Sequence, residues 1–184
     1  MGGGAVLAGS LIRSVHEKDW GAIAELVDGD ASSIAGSDAA GRCLLHYVIW
    51  KAAPPSLLHA VLDADASAAG RADRDRRHPL HFAGCDHDAK AKYASFVEKL
   101  IAAAPEAAEA ADKHGRTALH YAYWRGASQK VTDALVAANP GAAEVMDSKK
   151  KLPVRGTRIA AEHDACPSLA ARLLFFCVCV VFFL

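Results

Sequence analysis

Three histidines, His46, His81 and His120, are the residues of this 184-residue chain best suited to proton transfer or metal binding. An imidazole can act as a general base near neutral pH and can also coordinate zinc. Each histidine, however, ends a similar tetrapeptide and follows an aspartate by eight residues. A residue that recurs at one fixed place is typical of a structural role, and its recurrence supplies no geometry for catalysis. We assign no catalytic residue and expect a protein that is not an enzyme.

A metal site is the second chemistry that the residue types allow. His81 and Cys85 are four residues apart, which would place both on one face of a helix, and His87 follows closely. A fourth ligand is missing unless Asp86 or Asp88 supplies it, whereas structural zinc sites usually have closely spaced ligands on both sides. No Ser-His-Asp order, phosphate-binding glycine loop or pair of acidic residues stands out. We therefore expect no metal ion and no cofactor.

The elements that carry these histidines recur along the chain. Four aspartates stand 35, 39 and 35 residues apart: Asp38, Asp73, Asp112 and Asp147. The tetrapeptides that end eight residues after them are 43–46, 78–81, 117–120 and 152–155. A large aliphatic residue precedes each aspartate by twelve residues, namely Leu26, Val61, Leu100 and Leu135. A period of this length predicts a stacked repeat array, with an insertion between His81 and Leu100 that we place at residues 84–90.

Each repeat has the pattern of a turn followed by two helices. Aspartate and glycine in 38–41 and in 112–115 are typical turn residues, and Pro79 is compatible with the first turn of a helix. In the second segment apolar residues are spaced i, i+4 and i+5, as at Phe96, Leu100 and Ile101, which places them on one helical face. Such a face is buried only when neighbouring repeats stack. The pattern predicts an all-α solenoid.

Three regions follow from this register. Residues 1–36 are predicted to be an N-terminal capping half-repeat, with helices from Ala5 to Lys18 and from Trp20 to Val27. Residues 37–155 contain three good repeats and a degenerate fourth that begins near 146, and residues 156–184 form a non-repeat tail. The five cysteines are odd in number and include no Cys-x-x-Cys pair, which favours a reduced intracellular compartment, most simply the cytoplasm.

The segment from Asp112 to His120, Asp-x-x-Gly-x-Thr-Ala-Leu-His, resembles the ankyrin repeat, and residues 38–46 are a close variant. The resemblance covers roughly residues 20–155, and the alanine-rich segments 65–69, 105–108 and 139–143 are similar to those of long ankyrin arrays in microbial eukaryotes. Arg76 and Lys150 replace the glycine of the motif, and Arg155 replaces its histidine. The resemblance implies stacked helix-turn-helix units with hairpin-like tips, in which each histidine ties its turn to a neighbour. The motif residues with a structural role are then Asp38, His46, Asp73, His81, Asp112, His120 and Asp147.

The resemblance also implies a binding surface, because the turn tips and the exposed side of the first helix line the concave face of ankyrin arrays. Trp50 and Trp124, each four residues after a motif histidine, are the strongest candidates, since exposed tryptophan is scarce unless it is used. For Tyr47 and Tyr121 the alternative is packing against the neighbouring helix. The predicted partner-binding residues are Arg42, Tyr47, Trp50, Lys51, Arg74, Arg77, Asp86, Lys113, Arg116, Tyr121, Trp124 and Arg125.

Charge bears on the kind of partner. The chain has 21 basic and 21 acidic residues, so no global field favours nucleic acid, and none is expected as a partner. Ten of the basic residues and five aspartates nevertheless lie in or beside the turns, a net charge of +5 along one edge. This edge predicts another protein with an acidic or phosphorylated segment, or anionic lipid. Solvated tips with no partner are the alternative.

The apolar segment 173–184 lies outside the repeat, and three interpretations of it are open. As a membrane anchor, the twelve residues 173–184 would span only about 18 Å of the roughly 30 Å hydrocarbon core if helical. Extending the anchor to 169–184 would place Arg172 in the membrane. The segment could instead cover the open end of the last repeat. The third interpretation, narrowly favoured, is a misplaced splice boundary near Val154, where the repeat pattern fails.

The predicted function is a non-catalytic protein–protein interaction scaffold that binds its partner through the concave face of the array. The alternative is a membrane-tethered adaptor, anchored by the apolar tail and using its basic edge for acidic partners or lipid. Partner identity, oligomeric state and biological process do not follow from the sequence, because one fold hosts many functions.

Overall fold

The chain is described by a computed structural model over residues 9–29, 34–83 and 92–153. Within these ranges it forms nine α-helices and no strand. They are α1 (Gly9–Glu17), α2 (Trp20–Gly29), α3 (Leu44–Trp50), α4 (Pro55–Ala64), α5 (Pro79–Phe82), α6 (Lys92–Ala103), α7 (Glu106–Glu109), α8 (Ala118–Arg125) and α9 (Gln129–Ala138). Short 3-10 helices, Ala66–Gly70 and Pro140–Glu144, follow α4 and α9. The all-α prediction is confirmed.

The helices stack in two layers. Helices α1, α3, α5 and α8 contact one another in succession, and so do α2, α4, α6 and α9. The layers are joined because the first and second helices of each repeat also contact each other, as α3 does α4 and α8 does α9. Each repeat therefore buries its apolar face against its neighbours, which is the architecture of a solenoid.

The aliphatic residues that precede each aspartate form the core between the layers. Val61, Leu100 and Leu135 are buried, as the register predicts. Leu26 is exposed instead, and the adjacent Val27 is buried in its repeat. Helix α2 is the first helix of its layer and packs on α4 alone within that layer, so less of its surface is covered. Short helices follow α4 and α6, and their alanines, among them Ala69 and Ala107, are also buried.

The recurring tetrapeptide is the first turn of a helix. Cys43, His78 and Thr117 are the residues before α3, α5 and α8, and their backbones are extended, with ψ of 171°, 161° and 169°. Three residues later the motif histidine points back to the backbone N–H of that capping residue. This is the geometry of a capping box, in which Glu or Gln usually supplies the acceptor. The spacing of the motif follows from helix geometry.

Several predicted features lie outside the described residues. The insertion at 84–90, with Cys85, Asp86 and His87, is among them, as are the first eight residues and the tail from Val154 onward. In the part of the chain that the structure describes, no helix combines the length and the apolar character needed to cross a membrane.

Candidate partner-binding surface

Each repeat opens with a turn that is closed around the carboxylate of its aspartate. Oδ1 of Asp38 accepts the backbone N–H groups of Ala40 and Arg42, both at 2.8 Å. The same pair of bonds recurs at the three later aspartates of the motif, including the degenerate fourth, Asp147. The Asp38 N–H donates in turn to the Arg42 carbonyl at 2.9 Å, again with equivalents in every repeat. The fourth turn thus forms although its sequence has decayed.

Neighbouring turns are joined through their backbones. The Arg74 N–H donates to the carbonyl of Ala40 at 2.8 Å, and the Lys113 N–H donates to the carbonyl of Asp75 at 2.9 Å. A third bond of this kind joins Ser148 N–H to the His114 carbonyl at 2.7 Å. Because these bonds join backbone groups, they do not depend on the side chains at the tips of the turns, which are free to vary.

The glycine of the motif is required by conformation and by space in two of the turns. Gly41 has a φ of 79° and Gly115 a φ of 74°, in the left-handed region that favours glycine. A Cβ at Gly41 would lie 3.3 Å from the backbone nitrogen of Arg74 in the next repeat. Arg76 and Lys150 replace this glycine and still adopt φ values of 62° and 58°. These two turns keep the backbone geometry of the motif at the cost of local strain.

Two of the three motif histidines, His46 and His120, tie their turn to the next. His46 accepts the N–H of Cys43 at Nδ1, 3.1 Å away, and its Nε2 lies 3.0 Å from the carbonyl oxygen of Arg77. His120 repeats both contacts with Thr117 and Lys151, at 3.1 and 3.2 Å. Because Nδ1 accepts, Nε2 must carry the proton that is donated to the carbonyl. His81 keeps the first contact, with His78, but its Nε2 has no hydrogen-bond partner among the described residues.

Burial keeps these imidazoles neutral. Desolvation lowers the pKa of His46 to about 4, against the weaker upward effect of the Arg77 carbonyl. Desolvation and the nearby His78 lower the pKa of His81 to about 4, and desolvation also lowers the pKa of His120. Residues 9–29, 34–83 and 92–153 contain no group of three potential ligands placed to hold a metal ion. The geometry of His46 and His120 is that of a structural tie.

Tyr47 and Tyr121 belong to the same turns and not to the surface. Their hydroxyls donate to Oδ2 of Asp38 and Asp112, at 2.7 and 2.8 Å. The two residues are only 4% and 8% exposed, and burial, followed by the carboxylate bond, raises the pKa of each to about 12. Each ring reaches its own aspartate and is covered by its repeat, which favours the packing alternative over contact with a partner.

The two tryptophans are exposed at equivalent places, at the ends of α3 and α8. Trp50 is 41% exposed and Trp124 is 71% exposed. A basic side chain lies over each indole: Lys51 Nζ is 4.9 Å from the Trp50 ring centre, and Arg125 Cζ is 5.7 Å from that of Trp124. The ring quadrupole attracts such a cation, and tryptophan is enriched among the residues that dominate binding. The structure thus presents two of the predicted aromatic–basic pairs to solvent.

The basic edge is partly neutralised within the array. Arg42 pairs with Asp38 at 2.8 Å, and Arg77 pairs with Asp73 at 2.7 Å and with Asp75 at 3.1 Å. Two further turn residues form ion pairs, Arg71 with Asp65 and Lys113 with Asp75. Among the described residues the basic side chains of the turns without an ion pair are Arg74, Arg76, Arg116, Lys149, Lys150 and Lys151. Uncompensated charge is therefore concentrated toward the fourth turn.

A groove opens between the third and fourth turns. Its volume is about 400 Å³, and it is lined by Arg116, His120, Trp124, Asp147, Lys149, Lys151, Leu152 and Pro153. The predicted site contained Arg116 and Trp124 but not the two lysines, Leu152 or Pro153. A sequence signal for Lys151 existed, because it stands four residues after Asp147, where the earlier repeats have arginine.

Solved structures share this architecture. The ankyrin-repeat fragment of Swi6 from S. cerevisiae matches 78% of this chain and 67% of its own length, with a TM-score of 0.57 and 16% sequence identity. The chain has the ankyrin-repeat fold. No protein-family model and no curated protein matches the sequence. The Asp-to-His motif that suggested an ankyrin array is thus confirmed by the fold.

The remaining predicted surface residues are distributed unevenly over the ankyrin array. Arg74 is exposed on the second turn, while Arg42 and Arg77 lie half-buried against their own aspartates. Lys113 is exposed but is paired with Asp75. Asp86 lies outside the described residues. The structure therefore leaves two exposed aromatic–basic pairs and one groove as the parts of this surface best suited to a partner.

Proposed function

We propose that the chain is a non-catalytic module that recognises another protein through the concave face of its ankyrin array. The observation that carries the proposal is the exposure of Trp50 and Trp124 at the same register of two repeats, each beneath a basic side chain. Tryptophan, tyrosine and arginine are the residues that most often dominate the binding energy of protein interfaces. The fold supports the proposal because ankyrin arrays serve in protein–protein interaction.

The test compares affinity purifications of the full chain and two variants. Trp50→Ala combined with Trp124→Ala should remove proteins that co-purify with the wild type, as identified by mass spectrometry. Leu26→Ala is the matched control, because Leu26 is an exposed apolar residue on α2, in the other layer. Unchanged far-ultraviolet circular dichroism would show that the fold is intact. An identical set of co-purifying proteins for all three chains would contradict the proposal.

A second candidate function rests on the apolar segment 173–184, which supports a membrane-tethered adaptor. Fractionation of a tagged chain with and without residues 169–184 separates the two functions. A shift from the membrane fraction to the soluble fraction on deletion would favour the adaptor. If both chains distribute equally between the membrane and soluble fractions, the adaptor function is contradicted and the tryptophan surface is the basis for function.

A further inference from the structure

We propose that the groove between the third and fourth turns binds an acidic peptide segment of another protein. In this arrangement Trp124 contacts an apolar side chain of the segment, and Arg116, Lys149 and Lys151 hold its carboxylates. The inference rests on the proposed function and specifies the partner's chemistry at one end of the array.

The charge of the groove distinguishes it from the earlier repeats. A basic residue follows each motif aspartate by four residues: Arg42, Arg77, Arg116 and Lys151. Arg42 and Arg77 form ion pairs with their own aspartates, whereas neither Arg116 nor Lys151 has an ion pair among the described residues. The first two cations are therefore committed to the turn, and the last two remain available to a partner.

The one acidic residue of the groove does not neutralise it. Asp147 directs Oδ1 to the backbone N–H groups of Lys149 and Lys151, at 2.8 and 2.9 Å, and so serves its own turn. Three basic side chains face this single carboxylate. His120 adds no charge at neutral pH, since it is neutral and bonded to the Lys151 carbonyl. Groups of one sign around a recess attract and select a ligand of the opposite sign.

The apolar part of the groove's lining indicates that the ligand also carries an apolar side chain. Trp124, Leu152 and Pro153 form the uncharged lining, and the indole is the most exposed large apolar residue described. A groove of about 400 Å³ lies within the size range of sites that enclose small ligands and can hold the side chains of a short segment. The apolar and basic groups line one recess, which a flexible peptide segment can enter with both kinds of side chain at once. The combination fits an apolar residue flanked by aspartate or glutamate.

The experiment selects ligands from a displayed library of random dodecapeptides on the immobilised full chain. The enriched peptides are then synthesised with a fluorophore, and their affinities are measured by anisotropy. The groove variant is Arg116→Gln, Lys149→Gln and Lys151→Gln. Its matched control, Arg76→Gln, Lys130→Gln and Lys150→Gln, removes the same charge from exposed basic residues outside the groove that are unpaired among the described residues. Circular dichroism and urea unfolding establish that both variants fold.

The expected result is enrichment of peptides that combine Asp or Glu with an aromatic or aliphatic residue. Their affinity should fall about tenfold or more in the groove variant and less than about threefold in the control, and it should weaken with added salt. Trp124→Ala should also weaken the same peptides. These three results together would support the assignment.

Other outcomes overturn it. Enriched peptides without acidic residues, or equal losses in the groove variant and its control, would show that the groove does not select carboxylates. Peptides that lose affinity on Trp50→Ala but not in the groove variant would sustain the proposed function and sink this inference. If no peptide is enriched while phosphatidylserine vesicles bind the wild type and not the groove variant, the groove is a lipid site. If neither peptides nor vesicles bind, the groove has no acidic ligand, and the affinity purification still decides the proposed function separately.

Discussion

Nε2 of His46 lies 3.0 Å from the carbonyl oxygen of Arg77, which closes the turn of the next repeat. His120 has the same relationship to Lys151, again 31 residues further along the chain. One side chain thus caps its own helix through Nδ1 and bonds to the next repeat through Nε2. Only a neutral imidazole can do both, because Nδ1 must accept while Nε2 donates. The protonation state of these histidines is therefore linked to the stacking of the array.

Acid should destabilise the array between about pH 6.5 and pH 4. The unfolded histidines bind protons near their ordinary pKa of 6.5, whereas folded His46 and His81 do so only near 4. The unfolded state therefore binds more protons in this window, and the free energy of unfolding falls as the pH is lowered through it. Each of these two shifts corresponds to about 3 kcal/mol. Urea unfolding at pH 7.5, 5.5 and 4.5 measures the loss.

An independent check of this prediction is to measure which imidazole nitrogen carries the proton. Nitrogen-15 chemical shifts of the imidazoles at pH 7 should show the proton of His46 and His120 on Nε2. Equal stability at pH 7.5 and 4.5, or a proton on Nδ1, would contradict the link between neutral histidine and stacking.

Replacing one motif histidine should cost more than replacing a histidine in a turn. His46→Ala leaves the buried N–H of Cys43 without a partner, removes one of the two bonds to the Arg77 carbonyl and opens a cavity, so we expect a loss of about 2–4 kcal/mol. His114→Ala, whose side chain makes no hydrogen bond among the described residues, should change stability by less than about 0.5 kcal/mol. Chemical unfolding of both variants at pH 7.5 gives the comparison. Similar losses at the two positions would show that the tie is not specific to the motif.

The turns with a side chain at the glycine position should be improved by glycine. Arg76→Gly should raise the free energy of unfolding by about 0.5–1 kcal/mol, because relief of the left-handed strain exceeds the added entropy of the unfolded chain. Arg76→Ala is the control, since it removes the charge but keeps a Cβ at positive φ. Gly41→Ala should lower stability by about 1–2 kcal/mol, because its Cβ is strained and meets the backbone of Arg74. An equal gain from Arg76→Ala would assign the effect to charge instead.

The exposure of the tryptophans can be measured in the free protein. Variants that retain one tryptophan each, with phenylalanine at the other two positions, should differ in acrylamide quenching. Trp124, at 71% exposure, should be quenched most and emit at the longest wavelength, and Trp50, at 41%, should follow. Weak quenching of Trp124 would mean that another part of the chain or a second copy covers the groove.

Much of the fold could be predicted because the fixed spacing within the repeat places each turn and each helix along the chain. The interval from Leu135 to Asp147 to the tetrapeptide at 152–155 located the fourth turn even where its glycine is lost. The helix starts at Ala118 and Pro79 also agree with the motif, since caps are local features. The exposure of Leu26 does not follow from the register, because it depends on how many helices cover α2.

The binding surface was harder to predict than the fold. Trp50 and Tyr47 are neighbours on α3, and their types suit an interface equally well. The structure separates them, because the Tyr47 hydroxyl reaches Asp38 while the Trp50 ring remains outside. Arg116 and Arg42 likewise occupy the same register but differ in ion pairing. Both contacts lie within one repeat, and they depend on side-chain conformations that residue type and register do not fix.

The sequence by itself determined the repeat period, the helical class and the position of the tetrapeptide at the start of a helix. These follow from local geometry, in which each residue's position within its repeat decides what it does. Only the tertiary structure decided which aromatic rings are covered, which basic side chains remain unpaired, and that a groove separates Arg116 from Lys149. Burial depends on neighbouring repeats 35 to 39 residues away, and the ion pairs within each turn depend on side-chain conformations that the repeat spacing does not fix.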